Sequence, residues 1–113
     1  MLRTLTLIVA AGLLGTTTAS AQSAAAIERG QKVYAAEKCS VCHSIADKGN
    51  KRGPLDDVGS RLSEDEIRQW IVSAPEMATK TKAQRKPVMK AYGHLGKEDV
   101  DGLVAYMASL KKK

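Results

Sequence analysis

Both cysteines of the chain and one of its two histidines fall within five residues, Cys39-Ser40-Val41-Cys42-His43. On a helical turn, positions i, i+3 and i+4 share a face, so the two thiols and the imidazole point the same way. Several chemistries use such a set. A structural zinc site needs four ligands, and the remaining histidine, His94, has no partner at the paired spacing of zinc motifs. A dithiol redox pair explains the C-x-x-C but gives His43 no task, and no strand–helix–strand pattern surrounds it. A structural disulfide is open to an exported chain, although a bridge across so short a loop gains little closure entropy.

A fourth chemistry gives every residue of the cluster a task. C-x-x-C-H is the signature of covalent haem attachment: each thiol adds to one vinyl group of the porphyrin, and the adjacent imidazole ligates the iron. The opposite side of the iron then decides the function. A methionine thioether there makes a six-coordinate electron carrier and raises its potential; an open position allows ligand binding or chemistry. Met77 follows Pro75 at the start of a long irregular stretch, and Met107 lies in an apolar helical stripe. Met89 sits between Pro87 and Gly93, in a segment those residues can hold in a defined bend. His94, in the same loop, is a rival ligand.

The chain has 113 residues, the size of one domain. Arg3, the apolar run Leu5–Leu14 and the A-x-A pattern Ala19-Ser20-Ala21 read as a removed export signal over residues 1–21. The run is shorter than the roughly 20 residues that span a bilayer, and no cysteine follows it to carry a lipid. The expected mature domain is 22–113, with no permanent membrane anchor. It is small and contains no Phe, one Trp and three Tyr, so something other than large side chains must fill its centre. The formal charge of +6 falls to +5 without Arg3. Export argues against nucleic acid as the target of that charge and leaves acidic proteins as its expected partners.

Three helices are predicted. The first covers Ala25–Lys38, with Gly30 inside it; a mid-helix glycine costs about 1 kcal/mol against alanine and calls for a close backbone neighbour. The second covers Ser63–Ser73, opened by a capping box, Ser63 with Glu66, and stopped by Pro75. The third covers Lys97–Lys111, with the stripe Val100, Leu103, Val104, Met107 and Leu110. No segment alternates as a strand would. The stretches 44–62 and 74–96 read as long loops, which in a compact domain need an internal surface to pack on.

With these pieces in place, the chain resembles the small single-haem c-type cytochromes of class I, the bacterial periplasmic proteins with histidine–methionine ligation. Gly30 and Tyr34 are similar to the family's glycine and aromatic on the first helix, and 39–43 to its haem motif. Gly53-Pro54-Leu55 resembles the segment whose proline carbonyl accepts a hydrogen bond from the proximal histidine. Pro87-Val88-Met89 with Ala91-Tyr92 resembles the loop of the distal methionine, and 103–110 the closing helix. The resemblance implies an all-α cytochrome c fold, in which three main helices and long loops wrap one haem c. That haem would be held by two thioether bonds at Cys39 and Cys42, with His43 and Met89 on the iron and Pro54 behind His43. It implies a first and last helix in close contact at Gly30, with Tyr34 and Tyr106 alongside.

The implied function is one-electron transfer, not catalysis, in a free shuttle or in the cytochrome subunit of a periplasmic oxidoreductase. Lys90 stands where many family members have a proline after the distal methionine. That departure keeps open an alternative, a gas-binding or peroxidase-like haem protein with a displaceable sixth ligand. Lys80, Lys82, Arg85, Lys86 and Lys90, uninterrupted by acidic residues, would frame the haem edge and dock acidic periplasmic redox proteins, or a dehydrogenase or oxidase.

Overall fold

The computed structural model describes Gly12 and residues 19–113, with side chains from residue 24 onward. The expected export signal therefore lies outside the described residues, apart from Gly12 and the positions from Ala19 on. The elements are α1 (Ala19–Ala36), a single 3₁₀ turn (Cys39–Val41), β1 (Ser44–Ile45), β2 (Lys48–Gly49), α2 (Val58–Arg61), α3 (Glu64–Val72), α4 (Ala74–Thr81) and α5 (Lys97–Ser109). No helix among the described residues is long and apolar enough to cross a membrane.

The main contact is α1 against α5. It centres on two glycines: a Cβ on Gly30 would lie 2.1 Å from the carbonyl oxygen of Gly102. The mid-helix glycine thus has its close backbone neighbour. Tyr34 and Tyr106 pack edge to face beside the crossing, with centroids 5.8 Å apart at 84°, the arrangement that suits the ring quadrupoles. Arg29 reaches across to Asp99 at 2.8 Å and Glu98 at 3.1 Å. Below the crossing, Val100, Leu103, Val104 and Met107 of α5 meet Val33 of α1, Val58 of α2, and Ile67 and Ile71 of α3 in one buried cluster.

α3 opens on both halves of the expected capping box: Ser63 Oγ accepts from the Glu66 amide at 3.2 Å, and the Glu66 carboxylate accepts from the Ser63 amide at 3.1 Å. Pro75 ends α3, but it does not begin a loop. It stands in the first turn of α4, where its missing N–H has no intrahelical partner to lose and its fixed φ is already helical. The expected loop 74–96 is therefore shorter than predicted, and Met77 is buried in α4 instead of lying in a loop. The stretch 44–62 also holds a small hairpin and α2. Two-residue strands are too short to show alternation, which is why none was visible in the sequence.

Candidate functional site

Cys39 lies in the 3₁₀ turn, and the His43 amide donates to the Cys39 carbonyl at 2.9 Å. The i, i+3, i+4 relation read from the sequence thus exists in the backbone. Asn50 ties the turn from outside: its amide bonds to the Ser40 and His43 carbonyls, and its side chain donates to the Val41 carbonyl at 3.1 Å. Asparagine suits such a loop because its amide doubles as a backbone-like donor. Sequence reasoning passed over Asn50, whose only signal was a polar, glycine-flanked turn beside the motif.

Both thiols are free; Cys39 is half-buried and Cys42 exposed. Burial, ahead of the nearby Glu37 charge, pushes the Cys39 thiol up to about 11. A thiol held so far from ionisation at neutral pH is a poor redox nucleophile. No group of three or more His, Cys, Asp or Glu among the described residues is placed to hold a metal ion. His94 is exposed, with its ring 6.0 Å from that of Tyr92.

His43 Nδ1 donates to the carbonyl of Gly53 at 3.0 Å. The expected acceptor was Pro54, so the structure moves that role back by one residue. The reason is local: the Pro54–Leu55 segment runs beside Ser44, with Leu55 N donating to Ser44 O at 2.9 Å and Ser44 N to Gly53 O at 3.1 Å, so it is the Gly53 carbonyl that faces the ring. Pro54 itself is exposed. With Nδ1 protonated and engaged, the lone pair of Nε2 is left for a metal. Burial lowers the His43 pKa, the Gly53 bond opposes this, and the Arg85 charge lowers it further. The imidazole is neutral at pH 7, as a ligand must be.

Met89 packs half-buried against the core cluster. It also lines an open cleft of about 600 Å³, with Pro75 and Ala78 of α4 on one side and Lys82, Lys86 and Lys90 around it. Cys39, Cys42 and His43 do not line that cleft. The segment that carries Met89 is tied to the motif through one side chain. Arg85 donates to the Cys42 carbonyl at 2.5 Å. Tyr92, which follows the segment, is buried in the core cluster, and Lys90 Nζ stands 5.2 Å over its ring. Lys80, Lys82, Arg85, Lys86 and Lys90 are all exposed, yet the Arg85 head group is committed to the motif. Sequence reasoning counted it only as a docking charge.

These residues fit a haem. Two unpaired thiols and a neutral imidazole with Nε2 free are the donor set that attachment requires. The Tyr34 hydroxyl is buried without a hydrogen-bond partner among the described residues, and burial, ahead of the Cys39 thiol, pushes it up to about 12. A buried, unpaired hydroxyl calls for a polar group, and a haem carries carboxylates.

No curated protein and no solved structure matches the chain. The family model described as Cytochrome c does match, over residues 27–111, a span that takes in the thiols, the imidazole and every helix except the start of α1. The motif of two free thiols and a tethered imidazole is thus embedded in the fold it belongs to, and the chain is a member of the cytochrome c family, the small electron-transfer proteins with covalently attached haem c.

Proposed function

We propose that this chain is an exported, periplasmic one-electron carrier whose single haem c is bonded to Cys39 and Cys42 and held at its iron by His43 and Met89. The observation that carries the reading is the bond from His43 Nδ1 to Gly53 O, which leaves Nε2 available to a metal within one turn of two free thiols. The bound haem supplies the one-electron iron couple. Gly53 fixes the tautomer of His43, and Met89, from the loop tied to the motif by Arg85, would close the remaining iron position to small ligands. Lys80, Lys82, Lys86 and Lys90 present positive charge to acidic redox partners, speeding encounter in a salt-dependent way. Residues 1–21 direct export and are removed; a mature N-terminus at Gln22, read by mass spectrometry, tests that step.

The deciding experiment is the visible spectrum of the ferric, haem-loaded protein beside that of Met89→Ala. Iron–thioether ligation gives a weak red charge-transfer band. The wild type shows it and the variant lacks it if Met89 is the ligand; a wild type without the band refutes the assignment. A gas-binding reading draws on the sparse anchoring of segment 84–91. Binding of carbon monoxide to the reduced wild type at micromolar concentration would favour it over the carrier.

A further inference from the structure

The loop that carries Met89 is thinly held. The Ala83 amide closes α4 on Ala78, and the Tyr92 amide donates to Ile71 at 2.8 Å. Between them, among the described residues, one hydrogen bond joins the segment to distant chain: Arg85 Nη2 to Cys42 O at 2.5 Å, across 43 positions of sequence. The other bond there, Gln84 to the Lys82 carbonyl, is local.

The same guanidinium lies over Gly53. A Cβ on that residue would fall on the Arg85 head group and 2.4 Å from the Cys42 carbonyl oxygen; only a residue without a side chain leaves the guanidinium its seat. Arg85 therefore stands against two backbone positions that frame His43: the carbonyl of the residue before it and Gly53, whose carbonyl accepts the hydrogen bond from its Nδ1–H. It stands four positions before Met89 on the loop.

We propose that Arg85 is a positioning residue, a latch that holds the Met89 loop against the C-x-x-C-H segment and so keeps the methionine on the iron. The inference rests on the reading of Met89 as the distal ligand. A charged donor on a carbonyl is the stronger kind of hydrogen bond, and its planar head makes arginine poorly replaceable by lysine at such a seat. Without it, nothing but side-chain packing holds the segment between Ala83 and Tyr92. An added ligand competing for the iron then has less to displace.

The test is a spectroscopic titration of the ferric, haem-loaded protein with imidazole. Arg85→Met keeps an unbranched stem and removes every donor. Its imidazole affinity is expected to rise about tenfold over wild type, the equivalent of one lost charged hydrogen bond, with Arg85→Lys between the two. Arg61→Met, which loses the same charge from the exposed pair with Asp57, is expected to stay within about twofold, so net charge and general destabilisation are separated from positioning. If Arg85→Met fails to mature, Arg85→Lys carries the same readout. Affinities of both Arg85 variants equal to wild type, in a wild type that shows the thioether band, overturn the latch and leave the ligand assignment standing. A wild type without the band, bound by imidazole as tightly as Met89→Ala, overturns the ligand assignment itself and the latch with it.

Discussion

Gly30→Ala tests the principal helix crossing. The new Cβ would stand 2.1 Å from the Gly102 carbonyl oxygen, 2.6 Å from its carbon and 2.7 Å from the Tyr106 Cβ. Two of the three are backbone atoms, which cannot rotate aside, so α1 and α5 must separate by roughly 1 Å to reach ordinary contact. A gap of that size forfeits about a quarter to a half of the dispersion energy of every atom pair it opens, and Val33, Leu103, Val104 and the Tyr34–Tyr106 pair all lie at or beside the crossing. Overpacking of this kind costs about 1–3 kcal/mol, and a contact against backbone belongs at the upper end. Alanine returns at most about 1 kcal/mol in helix propensity. The net is a loss of about 2 kcal/mol, or roughly 10 °C in Tm for a domain of this size, read by circular dichroism of the haem-loaded protein. Gly102→Ala supplies the contrast: its Cβ would be 3.0 Å from the Gly30 amide nitrogen and 3.2 Å from the Ala26 carbonyl oxygen. A shift of tenths of an ångström relieves those contacts, so it should stay within about 1 kcal/mol of wild type once propensity is credited. A Gly30→Ala melting within about 2 °C of wild type, or below which Gly102→Ala falls, would refute the reasoning.

Ser63→Ala removes the side-chain half of the α3 capping box, the Oγ that accepts from the Glu66 amide, and is expected to lose about 1 kcal/mol in urea denaturation while leaving the visible spectrum unchanged. Burial, ahead of the charges of Cys39, Tyr106 and Asp56, raises the Tyr34 pKa from 10.0 to about 12. A folded-state pKa above the unfolded one means that this contribution is complete below pH 10 and is lost as pH rises through 12. The urea midpoint of the wild type should therefore fall across that window more steeply than that of Tyr34→Phe, and equal slopes would exclude the tyrosine as the cause. Lys82, Lys86 and Lys90 changed together to Gln should slow electron transfer to an acidic redox protein at low ionic strength and flatten its salt dependence; stopped-flow rates that keep the wild-type salt slope would remove these lysines from the docking surface.

What was legible in this sequence was what is local or periodic. The capping box at Ser63 needs four residues to be read, and the α5 stripe needs four turns. Gly30 announced a close crossing because an unexplained helical glycine has few other uses, and the structure supplies Gly102 as the reason. Pro75 misled because a proline ends one helix and can open the next with the same fixed φ, and only the packing of Ala74 and Met77 selects the second outcome. The two departures at the site have one origin. A carbonyl or a guanidinium has a direction, and composition and spacing record only that it exists. Whether Gly53 or Pro54 offers its oxygen to His43 depends on which peptide faces the ring, and that is set by the pairing of Ser44 with the segment after it. Arg85 was counted among five like charges because charge is visible in a sequence; its seat over Gly53 and its bond to Cys42, 43 positions away, appear only when the loop closes. The count of cations free to meet a partner therefore falls from five to four. The fifth acts inside the molecule, and it links the segment carrying Met89 to the one carrying His43.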